Sequence, residues 1–345
     1  MTDVQAVYRI ARLVTLLTVA GVASSPSRAQ DVNLYTTREP GLIKPLLEAF
    51  TLKTGVKVNT VFVKDGLAER VGAEGAKSPA DVLMTVDFAN LIDLVDKGVT
   101  QPVSSSLLNA AIPANLRDDK GHWYALSMRA RIVYASKDRT KIDAFTYDDL
   151  ADAKWKGKIC IRAGQHPYNT ALIAAFITKY GEAKTEAWLR DLKANLARKA
   201  SGGDREVARD ILAGLCDIGV GNSYYVGLMR SGKGGPEQQK WADAITAVLP
   251  TFKGGGTHVN ASGAAVAKSA PNRENAIKLL EYLVSDEAQD LYARGDFEYP
   301  VKNGVNVDPI IAGLGVFNAD ATPLTEISKN RKKASELVDK VGFDN

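Results

Sequence analysis

The sequence predicts an α/β fold divided into two lobes, and three observations carry that expectation. Strand-like and helix-like segments alternate from about residue 32 onward, the pattern of a parallel sheet flanked by helices. Roughly 315 residues follow a leader-like start, more than one hydrophobic core usually serves. One long β-like run, Trp123 to Ser136, has no helix inside it, as suits a strand that crosses from one lobe to the other.

The leader comes first. Arg9 and Arg12 precede the apolar segment Leu13 to Val22, and Ser27-Arg28-Ala29 has the small-x-small form of a cleavage site. This is the signature of a secretory signal peptide, too short to span a bilayer. Residues 1–29 are therefore expected to be removed, leaving an exported protein that is not itself membrane-spanning. Val32-Asn33-Leu34-Tyr35 then reads as a strand, and Glu39-Pro40 opens a helix with Leu42, Ile43, Leu46, Leu47 and Phe50 on one face. Gly55 ends that helix. Strands follow at Val56 to Val63 and Asp81 to Thr85, and helices at Gly66 to Ala73 and Phe88 to Lys97. After the crossing run come a strand at Lys158 to Arg162 and helices at Asn169 to Tyr180, Ala183 to Leu196 and Asp204 to Leu215. Cys216 to Val220 then reads as a strand, so each of the cysteines Cys160 and Cys216 is expected in a strand. Ile245 to Leu249 and Gly263 to Ala267 read as strands returning to the first lobe, and Asn272 to Arg294 and Leu324 to Val341 as mostly helical. The expected division is 30–128 for the first lobe, 129–252 for the second, and 253–345 for the return and the C-terminal helices.

Composition excludes several function classes. The chain is 45% hydrophobic and 24% charged, with a formal charge of +4. Loss of Arg9, Arg12, Arg28 and Asp3 with the leader would leave about +2, too balanced and too scattered to argue for nucleic acid. No fixed-period repeat is visible. Cys160 and Cys216 are the 2 cysteines; export would place them where a disulfide persists, and two buried thiols are the alternative. His122, His166 and His258 form no metal-ligand cluster with them. No Ser/His/Asp or Cys/His constellation suggests an enzyme.

Three stretches sit where expected strands end and helices begin, the usual ligand edge of an α/β sheet. They are Tyr35-Thr36-Thr37-Arg38-Glu39-Pro40, Gly164-Gln165-His166-Pro167-Tyr168-Asn169-Thr170 and Asn222-Ser223-Tyr224-Tyr225. Helix starts offer free backbone N–H groups that suit an anion. Arg38 and Arg129 add planar forks that match a carboxylate or carbonate, although Arg38 could equally form a surface ion pair with Glu39. A phenol ionises near neutral pH only beside a strong positive charge, which a trivalent metal supplies. Fe(III), a hard ion, prefers anionic oxygen. The bland alternative is one core tyrosine beside one surface tyrosine. Asp87 reads as the cap of the Phe88 helix, Gly254-Gly255-Gly256 as a turn and Gly202-Gly203-Asp204 as a helix start. His166 reads either as an exposed loop residue or as support for Tyr168.

Tyr-Thr-Thr-Arg-Glu-Pro at the front, Met-Arg-Ala-Arg in the middle and Asn-Ser-Tyr-Tyr later together resemble the periplasmic ferric-ion-binding proteins. These are solute receptors of bacterial iron ABC transporters, and the likeness spans the whole chain after the leader. It implies a two-lobed periplasmic-binding-protein fold of type II, with the ligand cleft between lobes joined by hinge strands. It further implies that Tyr224, Tyr225 and Tyr168 are phenolate ligands to Fe(III). The expected partner is an ABC permease in the inner membrane, served from the periplasm by a monomer. Many members carry a histidine or tyrosine after the front arginine, where this chain has Glu39-Pro40. Either Glu39 ligates, or a synergistic carbonate (or bicarbonate) fills the position.

Charge counting favours the anion. Three phenolates balance Fe(III), so a carbonate dianion needs two positive charges, and Arg38 with Arg129 provide them. With Glu39 as ligand one arginine suffices. The alternative function is a receptor for a small organic anion or amine, with tyrosines stacking and arginines gripping a carboxylate.

Overall fold

The structure is a computed structural model that describes residues 31–345, so the expected signal peptide lies outside the described residues. The first part runs β1 (Val32–Thr36), α1 (Pro40–Thr54), β2 (Val58–Phe62), α2 (Leu67–Glu74), β3 (Val82–Thr85), α3 (Phe88–Asp96), β4 (Thr100–Gln101) and α4 (Ser106–Ala111). Helix α1 buries Ile43, Leu46, Leu47 and Phe50 and stops at Gly55, whose φ of 73° suits a residue without Cβ. Leu42, expected on the same face, is exposed instead.

The crossing strand is β5 (Tyr124–Ser136), every residue of which is buried. The second part continues with β6 (Ile159–Cys160), α5 (Pro167–Tyr180), α6 (Glu182–Ala194), α7 (Asp204–Leu212), β7 (Ile218–Asn222), α8 (Ser223–Arg230), α9 (Pro236–Asp243) and β8 (Ile245–Val248). Then come β9 (Val259–Ala267), α10 (Arg273–Leu283), α11 (Asp286–Asp296), β10 (Tyr299–Pro300), α12 (Pro309–Ala312), α13 (Leu324–Ser328) and α14 (Arg331–Lys340).

The main strand order is β2-β1-β3-β9-β5-β7-β6. Strand β1 is parallel to β2 and β3, and β6 is parallel to β7. Between these parallel ends the pairing is antiparallel, because β9 and β5 both run through the junction. The change of partner on β5 is sharp: Ala130 pairs with Val259 of β9, and Arg131 pairs with Asn222 of β7. A single strand therefore belongs to both halves of the sheet.

One expected strand goes elsewhere. Ile245–Val248 was to return to the first lobe, but β8 pairs with Val133 to Ser136, on the β7 side of the handover. Its short length and proximity to α9 let it add to the nearest available stretch of β5. The return is made by β9. The tail helix α14 packs on α5 and α6.

Cys160 and Cys216 are bonded, with Cα atoms 5.8 Å apart. Cys216 lies in the turn before β7 rather than in the strand, opposite the end of β6. Asp87 caps α3, accepting from the Ala89 amide at 2.8 Å. Gly256 in the triple-glycine turn donates its amide to Asp320 at 3.0 Å, so this segment is a closed turn. Among the described residues no helix is long and apolar enough to cross a membrane.

Candidate functional site

The tyrosine pair begins where β7 passes directly into α8. Tyr134 fixes that switch: its hydroxyl donates to the Asn222 carbonyl at 2.7 Å, and its ring lies where a Cβ on Gly221 would be, 2.3 Å away. Only glycine fits there. Tyr224 and Tyr225 follow, half-buried, with ring centres 4.1 Å apart. Three residues beyond Tyr224, Gly227 lets α8 rest on Phe297; a Cβ there would meet the Phe297 ring at 2.4 Å.

Tyr168 arrives on the first turn of α5. His166 caps this helix, its Nδ1 accepting from the Tyr168 amide at 3.2 Å while its ring meets that of Tyr168 at 4.6 Å. His166 thus supports Tyr168 and is half-buried rather than a free loop residue. Burial, followed by the charge of Arg162, pushes its imidazole down to about 4. The Tyr168 and Tyr224 hydroxyls stand 3.4 Å apart.

A cavity of about 230 Å³ opens in front of them. Tyr168 and Tyr224 line one side; Arg38, Glu39, Arg129, Asp296 and Glu298 line the other. Tyr225 stands beside Tyr224, off this lining, with the Arg205 guanidinium 5.7 Å from its ring centre. Burial raises the Tyr224 phenol well above its ordinary value, and Tyr168 and Tyr225 raise it further. Tyr225 is raised by burial and then by Tyr168. A hydrogen bond with Tyr224 acts against that rise in Tyr225, and a cation placed among the phenols would favour their ionised forms. Among the described residues no group of three or more His, Cys, Asp or Glu could hold a metal, so a metal here would take its donors from the phenols.

The arginines differ from expectation in their company. Arg38 is buried, not a surface partner of exposed Glu39. It reaches Asp296 at 2.5 Å, Glu298 at 2.9 Å and Ser262 at 2.7 Å. Arg129 donates to Ser262 at 2.8 Å and lies 3.6 Å from Glu298. Burial opposes the Arg38 charge, but Glu298 and Asp296 outweigh it and hold the guanidinium more firmly protonated than usual. Glu298 is likewise buried, yet Arg38, Arg129 and a hydrogen bond from Ser127 keep its carboxyl below its ordinary range. Asp296 is pushed up to about 6, burial prevailing over the pull of Arg38.

Residues 77–313 match the family described as bacterial extracellular solute-binding proteins. The chain belongs to this family. It is 38% identical over 326 residues to iron uptake protein A1 of Synechocystis sp., covering 94% of this chain and 90% of that one. To the major ferric iron-binding protein of Neisseria meningitidis serogroup B it is 29% identical, covering 95% and 97%. Among solved structures, a Bordetella ferric binding protein is 64% identical with a TM-score of 0.88, covering 91% of this chain and 100% of that one. A Trichodesmium protein solved with iron and citrate ligands is 43% identical, with a TM-score of 0.87 and coverage of 91% and 99%. The solute-binding protein described here therefore has the two-lobed type II fold anticipated from its sequence, in a family of receptors rather than of enzymes.

Sequence reading missed Asp296 and Glu298. A usable signal existed: Asp296 is the last residue of α11, where the helix dipole disfavours an acid, so a nearby cation is implied. Phe297 between them has φ of 58°, the left-handed region, which turns the chain so that both flanking carboxylates meet Arg38. Also missed was Asp204, which accepts from Arg131 at 2.5 Å and from the Asn222 amide at 2.9 Å.

Proposed function

We propose that this solute-binding protein captures Fe(III) as cargo in the cavity between its lobes and hands it to an ABC permease of the inner membrane. Tyr168, Tyr224 and Tyr225 supply the phenolates. The observation that carries this reading is the gathering of three phenols from two helix starts, Tyr168 and Tyr224 with hydroxyls 3.4 Å apart and Tyr225 with its ring centre 4.1 Å from that of Tyr224. Three such oxygens balance the ion's charge and suit its hardness. The names of the relatives, iron uptake and ferric iron-binding proteins, point the same way. A small anion, carbonate or bicarbonate, or the Glu39 carboxylate completes the coordination on the arginine side. Lobe closure over the cargo presents the permease with a surface that the empty receptor lacks. A cleaved leader places the mature monomer in the periplasm.

The test is a visible absorption spectrum of the protein before and after addition of Fe(III) citrate. Phenolate-to-iron charge transfer gives an orange-red band, expected here and expected to fade in Tyr224→Phe and shift in Tyr225→Phe. A folded protein that stays colourless at saturating iron overturns the reading and leaves an organic-anion receptor as the better one. Because Tyr224 and Tyr225 ionise on binding, iron affinity is expected to fall as pH is lowered.

A further inference from the structure

The two residues ahead of His166 are held by a part of the chain that the cavity does not use. Asp344 accepts the Gly164 amide at 2.5 Å and the Gln165 amide at 3.0 Å, one on each carboxylate oxygen. Bonds of this kind, from an amide to an ionised acceptor, are stronger than those between neutral groups. The Gln165 side chain donates to the Ser335 carbonyl at 3.0 Å and to Asp339 at 2.8 Å, and accepts from the Ser335 hydroxyl at 2.8 Å. Although exposed, Gln165 is thus tied to α14 at both ends of its amide. Gly164 is matched to the same segment, because a Cβ there would stand 2.7 Å from the buried Phe343 ring and 3.0 Å from Val338. The other side of the loop is held from within α5, where Asn169 donates to the Arg162 and Ala163 carbonyls at 2.9 and 3.0 Å. The segment around α14 is also anchored away from the loop, so it can serve as a support. Arg331 reaches Asp93 and the Ala89 carbonyl of α3, both at 2.9 Å, and Lys193 of α6 donates to the Val341 carbonyl at 3.1 Å.

We propose that Asp344 is a positioning residue for Tyr168: it fixes the loop ahead of α5 so that this phenol is delivered to the cavity beside Tyr224. Asp344 does not line the cavity and acts only through the Gly164 and Gln165 backbone. Tyr224 and Tyr225 do not share this dependence. They stand on α8, which continues straight from β7 and is fixed there by the Tyr134 hydroxyl. Two phenols are therefore set by the sheet, and the third by a segment brought back from far along the chain. The role of Asp344 in cargo binding rests on the iron reading; its hold on the loop does not.

The test is a mutant cycle read by Fe(III) affinity, measured in competition with citrate from the charge-transfer band. Its members are wild type, Asp344→Ala, Tyr168→Phe and the double variant. Asp344→Ala is expected to weaken binding about 10-fold, a usual cost of losing a group that orients a metal ligand. In the Tyr168→Phe background the same change is expected to cost less than about 2-fold, because the group it positions no longer ligates. No loss in Asp344→Ala alone overturns the proposal. So does a further loss of about 10-fold in the Tyr168→Phe background, because a merely structural role adds to the other change. A second arm needs no iron. Amide hydrogen exchange across 163–170 is expected to be at least about 10-fold faster in Asp344→Ala, with 222–228 unaffected. Equal exchange in the two proteins overturns the proposal. Asp344→Asn, which keeps one acceptor oxygen, takes the same place in the cycle where Asp344→Ala fails to fold. A wild type that never binds iron counts against the iron reading alone, and the exchange measurement still decides whether Asp344 holds the loop.

Discussion

Arg129 and Arg131 stand two residues apart on β5, both buried, and are held in opposite ways. Arg131 has three close partners at its terminal nitrogens: Asp204 at 2.5 Å, Asn222 at 3.1 Å and Asn169 at 2.7 Å. Arg129 has one close bond, to Ser262 at 2.8 Å, with Asn260 at 3.4 Å and Glu298 at 3.6 Å. The handover of β5 from β9 to β7 falls between them. Asn169 adjoins Tyr168 and Asn222 precedes Tyr224 by two, so Arg131 ties both tyrosine-bearing helix starts to the crossing strand. Its role is positional. Arg129, facing the cavity with its charge met at longer range, keeps the capacity to respond to what enters.

The comparison breaks most readily at Asp204. Replacement by Asn leaves Arg131 buried without its counter-charge, a loss of about 3–5 kcal/mol in unfolding free energy. Urea denaturation measures it. A loss below about 1 kcal/mol would mean Arg131 is no more committed than Arg129.

Next in size is the disulfide, which closes a loop with a sequence separation of 56 and ties β6, just ahead of Arg162, to the segment leading into β7. Cys160→Ser/Cys216→Ser is expected to cost about 2–4 kcal/mol, read as a lower melting temperature. The iron band should survive at low temperature, because neither cysteine reaches the cavity. Arg129→Gln should cost less, about 1–2 kcal/mol, since Glu298 keeps Arg38. Its larger effect should fall on iron affinity and on the salt dependence of anion binding. If Arg129→Gln destabilises as much as Asp204→Asn, the contrast between the two arginines fails.

These two regions were unequally legible in the sequence. The tyrosine side was readable because each part is local: an apolar strand, a glycine, an asparagine and two tyrosines follow one another in Cys216 to Tyr225. Strand β5 was readable too, since thirteen residues without a helical period leave few other structures. The arginine side was not, because Arg38 meets acids 258 and 260 positions away, and no periodicity links a front loop to the end of α11. A charge count made on the sequence therefore lacked those two acids. The misplacement of β8 has the same origin: a four-residue strand specifies its face but not which half of a shared partner it joins.

The smallest expected effect concerns His258, which sits at the handover itself: its carbonyl accepts the Arg131 amide at 3.0 Å, and Val259 next to it pairs with Ala130. Burial pushes its imidazole down to about 3, with Asp320 acting against this. A folded-state value below the unfolded one means that the unfolded chain binds the extra proton between about pH 6.5 and pH 3. Stability from this group is therefore full above that window and is lost as pH falls through it. Between pH 7 and pH 5.5 the loss amounts to about 1 kcal/mol. Asp296 works in the other direction, because its folded-state value, about 6, lies above the ordinary carboxyl range, so its charge destabilises the fold as pH rises towards 6. The wild-type profile should consequently be shallow, and the informative quantity is a difference. His258→Gln should gain stability relative to wild type as pH drops from 7 to 5.5, and Asp296→Asn should lose it, both followed by urea midpoint. Parallel profiles for all three proteins would show that neither the crossing strand nor the arginine side carries a titrating group in this range.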